Sequence, residues 1–214
     1  MRKTSMLLVG IVLLSLLLAI CFYPAMPETM VSHWNAQGMP DGYAPKALAL
    51  FAVPAMSAAV VALFAAVPAM DPLKANIRKF RKQYDTFVAL FAAFMLALQA
   101  EVVLWNMGMF VSPIVVLSVG MGALFFYVGV LSESAKRNWF VGIRTPWTMS
   151  SDRVWDKTHK VAAKLFKVAG VLAAAGAVLP EYAVLLVLAP VIIVALYSVA
   201  YSYVEYSKER RRST

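Results

Sequence analysis

The stretch 47–82 reads ALALFAVPAMSAAVVALFAAVPAMDPLKANIRKFRK, and its two halves decide the fold. Residues 47–70 run for 24 positions without a charge, and roughly 20 apolar residues in a helix cross the hydrocarbon core of a bilayer. Lys74, Arg78, Lys79, Arg81 and Lys82 follow at once. An apolar helix that ends in a cluster of cations is the pattern of a membrane span whose exit loop stays on the cytoplasmic side. Pro54 does not argue against the span, because neighbouring helices or local adjustments re-satisfy a freed carbonyl inside a bilayer.

The same pattern recurs outward in both directions. Apolar runs at 6–22, 87–107, 111–131, 162–179 and 182–204 bring the total to about six spans. Hydrophobic residues make up 62% of the chain and charged residues 14%, where soluble domains average about 45 to 50% apolar and about 25% charged. Leu18, Ala19, Ile20 and Cys21 have the look of a lipoprotein processing site, but bulky Ile20 stands where a small residue is needed, so the first run reads as a retained span. Gly108 and Pro113 mark a tight hairpin between the third and fourth runs. The fifth run is the most polar, since Lys164 and Lys167 in its first turns must snorkel to the interface. Ala169, Ala173 and Ala177 in the same run allow close backbone approach and place it among its neighbours.

Sidedness follows from the cations. Arg2 and Lys3, the cluster Lys74 to Lys82, the segment from Lys136 to Lys167, and Lys208 with Arg210, Arg211 and Arg212 account for 19 of the 20 lysines and arginines, and Lys46 alone falls on the other face. The expected architecture is an all-α, polytopic transmembrane helical bundle in the cell membrane, with both termini cytoplasmic. Residues 1–70 form an amino-terminal helical hairpin with an outer loop, and residues 71–214 a four-helix region. The net charge of +9 is thereby explained by topology, and direct nucleic-acid binding is not expected. Cys21 is the only cysteine, which excludes an intramolecular disulfide and a thiol metal cluster. No cofactor or metal site is expected.

Three segments outside the spans could carry function. The outer loop 23–46 contains Pro40, Asp41 and Gly42, which favour a tight turn, and Gly38 can do the same one step earlier. Trp34 and Tyr43 can sit at headgroup level. The loop is either a connector with an aromatic anchor or a preorganised surface that contacts something outside the cell, with His33, Trp34, Asn35, Asp41 and Tyr43 as the contact residues. His33 forms no metal site, because the only other histidine, His159, lies on the opposite face.

In the basic stretch 71–86, Asp71 can cap a helix with Pro72 in its first turn. Leu73, Ile77, Phe80 and Tyr84 then form one stripe, as a helix lying on an anionic inner leaflet would have. The third segment, 138–160, is broken by Gly142 and Pro146, after which Ser150 can cap a new helix with Val154, Trp155, Thr158 and Val161 on one side. Asn138, Arg144, Trp147, Trp155 and His159 make this elbow a candidate partner surface beyond generic anchoring. Inside the bilayer Glu101 stands out, because an ionised carboxylate at the centre of a span costs roughly 2.5 to 3.5 kcal/mol. Two roles fit it: a structural hydrogen bond with Gln99 or Asn106 nearby, or a functional polar site.

Tyr23, Pro24, Pro27, His33, Trp34, Asn35, Gly38, Pro40, Asp41, Gly42 and Lys46 resemble the amino-terminal domain of unknown function found in the SdpI-like family of bacterial and archaeal membrane proteins. Asn138, Gly142, Ile143, Arg144, Thr145, Pro146, Trp147, Thr148, Trp155, Thr158 and His159 resemble that family's carboxy-terminal signature. Ala162 and Ala163 depart from it, since the family tends toward glycine there. The resemblance implies a membrane immunity and signalling protein, which senses or neutralises an extracellular peptide toxin and recruits a cytoplasmic DNA-binding repressor. The alternative reading is a small transporter or intramembrane enzyme using Glu101. The sequence holds no paired-His motif, no second intramembrane carboxylate and no phosphate-cradling glycine loop, so no enzymatic activity is expected.

Overall fold

The computed structural model describes residues 3–213. Arg2, one of the cations in the sidedness count, lies outside the described residues. The elements in order are α1 (Lys3–Phe22), β1 (Thr29–Trp34), β2 (Pro40–Pro45), α2 (Lys46–Met70), α3 (Lys74–Lys79), α4 (Arg81–Asn106), α5 (Pro113–Ser134), α6 (Pro146–Ser150), α7 (Asp152–Ala175) and α8 (Ala183–Ser213). Short 3-10 turns stand at Tyr23–Ala25 and Pro180–Tyr182. The protein is a bundle of six long helices that alternate in direction. One end carries the β1–β2 hairpin, and the other carries α3, the elbow 135–151 and both described ends of the chain.

Helices α1, α2, α4, α5 and α8 are long and apolar enough to cross a membrane. The sixth, α7, is not, because Lys157, Lys160, Lys164 and Lys167 line its first two thirds. It begins ten residues before the expected span and ends at Ala175, short of Ala177. Its apolar side is nonetheless buried: Ala162, Ala163, Ala169 and Ala173 are at most 1% exposed.

Helices α5 and α7 pack at backbone distance. A methyl group on Gly122 would stand 2.8 Å from the Gly170 carbonyl oxygen, and one on Gly129 2.6 Å from that of Ala163. The glycines that allow this contact lie chiefly on α5. Alanine at 162 and 163 therefore costs no closeness, because Gly129 makes the room.

Two apolar cores lie at the two ends. At the hairpin end Ala19, Met26, Met30, Leu50, Val102 and Val103 pack together. At the elbow end Val67, Ile77, Phe80, Tyr84, Leu131, Ala135 and Trp155 do so. This second core corrects the expectation for 71–86. The stripe does not lie on a lipid surface: Ile77 and Phe80 are wholly buried and Tyr84 is 2% exposed. The segment is also not one helix. It breaks at Phe80, whose φ of −121° ends α3 and starts α4 at a new angle. Contrary to expectation, Asp71 does not cap a helix that starts at Pro72: α3 begins at Lys74 with Leu73 as its N-cap and no side-chain bond there, and Asp71 Oδ1 accepts the Leu73 N–H at 2.6 Å in the turn before it.

Candidate functional site

At the first end of the bundle, the outer loop folds as an antiparallel hairpin where turns alone were expected. Thr29 pairs with Pro45, Val31 with Tyr43 and Trp34 with Pro40. The reversal is built by Asn35, whose Oδ1 accepts the N–H groups of Gln37 and Met39 at 2.9 and 3.0 Å, and by Gly38 at φ 75°. Pro40, Asp41 and Gly42, expected to form the turn, lie in β2 instead. Gly42 is needed for proximity, since a methyl there would stand 2.7 Å from the His33 Cβ.

A two-stranded hairpin is marginal by itself in water, and this one is fastened to the bundle. The Asn106 amide at the end of α4 accepts the Val31 N–H at 2.9 Å and donates to the Val31 carbonyl at 3.0 Å. It thus imitates a neighbouring strand. Lys46 pairs with Glu28 at 2.7 Å, and Trp34 meets Trp105 edge to face at 5.5 Å. The outward surface holds Tyr43, 65% exposed, and the His33–Asp41 pair at 2.6 Å.

The three intramembrane polar residues do not form one group. Gln99 donates to the Leu50 carbonyl at 3.1 Å, and Asn106 is engaged with β1. Neither reaches Glu101, so the expected structural hydrogen bond between them is absent. Glu101 is 4% exposed and its Oε1 has no hydrogen-bond partner.

At the opposite end, the elbow is a web of internal bonds. Asn138, wholly buried, donates to the carbonyls of Lys136 and Val141 and accepts the N–H groups of Phe140 and Val141. His159 Nε2 accepts the Ile143 N–H at 2.9 Å, while Nδ1 faces the Trp155 carbonyl at 2.9 Å. These partners require a neutral ring protonated at Nδ1, and burial pushes its pKa down to about 4. Trp155 stacks on that ring at 4.0 Å and donates to the Ala135 carbonyl at 2.9 Å.

The short helix α6 starts with a capping box: Thr145 Oγ1 accepts the Thr148 N–H at 3.1 Å and Thr148 Oγ1 accepts the Thr145 N–H at 2.9 Å. Ser151, not Ser150, caps α7, because α6 occupies the position before it. The elbow is tied to both neighbours. Asp71 Oδ2 accepts the Trp139 N–H at 2.8 Å, Asn76 donates to the Arg137 carbonyl at 2.8 Å, and Thr145 meets Ser202 of α8 at 3.0 Å.

Residues 134–202 match the SdpI/YfhL protein family. This stretch is similar to that family. Residues 10–58, covering most of α1, the hairpin and the first half of α2, match the domain of unknown function DUF1648. The immunity protein SdpI of Bacillus subtilis (strain 168) is 25% identical over 207 residues, which are 96% of this chain and 97% of that protein. No solved structure matches the chain. The matched region thus takes in the whole elbow, α7 and the first part of α8, and ends at Ser202, the residue that bonds Thr145.

Within this SdpI-like elbow the candidate residues divide. Asn138, Trp155 and His159 are buried and fully engaged inside it. Trp147 is half-buried against Tyr203 at 5.1 Å. Arg144 reaches solvent while donating to the Trp139 carbonyl, and beside it Trp139, 53% exposed, and Phe140 offer apolar surface. Trp139 and Phe140 were not singled out in the sequence, where three tryptophans in one segment look alike. Thr145 and Thr148 were legible as a cap, since threonine, proline and a second threonine three positions on is a helix-start pattern.

Proposed function

We propose that this protein protects a cell against a secreted peptide toxin and reports its presence inward, without catalysing a reaction. The hairpin stands outside as the toxin contact, and the elbow and both chain ends stand in the cytoplasm, where the elbow receives a DNA-binding repressor. The observation that carries the reading is the presence of two internally bonded structures outside the long helices, at opposite ends of one helical bundle. Each is braced by long-range side-chain bonds and leaves a small exposed set: His33, Asp41 and Tyr43 at one end, Trp139, Phe140 and Arg144 at the other. Likeness to an immunity protein along nearly the whole chain supports the first half of the reading. The cation distribution supports the sidedness.

The test is deletion of the gene and challenge with secreted peptide toxins. Sensitivity to at least one toxin should rise, and the wild-type gene should restore resistance while Tyr43→Ala does not. Crosslinking from position 139 in cells should capture a DNA-binding protein. Unchanged sensitivity to every toxin, together with no captured partner, would sink the proposal. Glu101 favours a second reading, a small transporter or intramembrane enzyme. Gln99 and Asn106 are committed elsewhere, which leaves this carboxyl without a catalytic companion.

A further inference from the structure

A cavity of about 260 Å³ lies beneath the hairpin, between α4, α5 and the start of α8, with Trp34, Asn35, Glu101, Ile114, Leu117 and Val184 among its walls. Its walls are chiefly apolar, yet two of them carry buried polar atoms without partners: Glu101 Oε1 and Trp34 Nε1. Buried polar groups are normally satisfied, so an unpaired acceptor and an unpaired donor on two residues that line one cavity mark an incomplete site. Nothing among the described residues supplies the missing partners. Among the described residues at this end, Glu28, Asp41, Glu101 and Glu181 stand against the single cation Lys46, which is held by Glu28 at 2.7 Å. Glu101 is therefore open to a hydrogen-bond donor from outside the described residues, for which an N–H cation is the strongest match to a carboxylate, and Trp34 to a hydrogen-bond acceptor.

We propose that this cavity binds the free amino terminus of an apolar peptide, or a small amine of the same chemistry. The ammonium pairs with Glu101, the adjoining carbonyl oxygen accepts the Trp34 N–H, and the apolar side chain fills the space between the helices. Size agrees, since a cavity of about 150 Å³ takes benzene and this one has room for an aromatic side chain and its backbone. The proposal concerns the cavity itself and stands whether or not the immunity reading holds.

The full chain in detergent, titrated calorimetrically with L-phenylalaninamide, should show saturable binding. Glu101→Gln, and on the wild-type protein the N-acetylated probe, should each bind at least about tenfold more weakly, the loss of one charge-assisted hydrogen bond. Val184→Trp, which narrows the cavity and keeps the carboxyl, should abolish binding. Thermal unfolding of each variant in the same detergent checks its fold, and the acetylated probe decides the matter even if a variant fails to fold. Equal affinity for the free and acetylated probes, undiminished binding by a folded Val184→Trp, or no saturable binding at all would overturn the proposal. A Phe-Ala-Ala amide that binds at least as tightly supports a peptide amino terminus as the ligand. One that binds more than about tenfold more weakly supports the small amine.

Discussion

Gly142 and His159 show how tightly single residues are specified in the elbow. Gly142 sits at φ 113°, where a side chain is strained, and a methyl group there would stand 2.4 Å from His159 Nε2. Gly142→Ala should therefore destabilise the protein by about 2 to 4 kcal/mol, through backbone strain and overpacking together. Thermal unfolding in detergent should register this, and an unchanged midpoint would refute the assignment. His159 brings a pH dependence. Its folded pKa of about 4 lies below the ordinary value of about 6.5, so between those limits the unfolded chain binds more protons than the folded one. Its contribution is fully present above about pH 6.5 and fades as pH falls toward 4, up to about 3 kcal/mol in all. Comparing unfolding midpoints from pH 4 to 7, His159→Gln should show a shallower dependence than wild type. Parallel curves would show that His159 does not titrate this way.

At the scale of elements, the hairpin and the α5–α7 pair depend on opposite devices. The hairpin is too small to be stable by itself and borrows a polar clamp from α4. Asn106→Leu leaves the Val31 N–H and carbonyl without their partner, a cost of about 1 to 3 kcal/mol in a buried setting. Hydrogen exchange at Val31 should accelerate while the helices keep their protection. Retained protection at Val31 would mean that the strands hold themselves. The helix pair depends on the absence of side chains. A methyl on Gly170 would lie 2.4 Å from the Phe126 backbone nitrogen, so Gly170→Val should force the helices apart and lower the unfolding midpoint more than Val171→Ala at its exposed neighbour.

For the whole molecule, the alternation of helices places the hairpin at one end and all the cationic segments toward the other. On a background of Cys21→Ser, which removes the exposed free thiol, a membrane-impermeant maleimide applied to intact cells should label Asp41→Cys and spare Arg78→Cys. Labelling of position 78 from outside would reverse the proposed orientation and move both functional surfaces to the wrong sides. The fastening of the elbow is also a property of the whole: Asp71 to Trp139 and Thr145 to Ser202 tie it to the turn before α3 and to α8, segments far from it in sequence.

The sequence by itself determined the lipid-embedded helical class and the helix boundaries near Gly108 and Pro113. Charge-free runs and helix breakers act locally and can be read in order. It also marked the two segments that became the hairpin and the elbow, since their dense turn-forming residues, aromatics and charges contrast with everything around them. Only the tertiary structure decided that the outer loop pairs as strands, that the basic stretch turns its apolar stripe inward, and that Asn138, Trp155 and His159 are spent inside the elbow. Each outcome depends on partners dozens of residues away, such as Asn106 for Val31 and Asp71 for Trp139. Close packing and hydrogen bonding across such separations depend on where the chain returns in space, which no local pattern records.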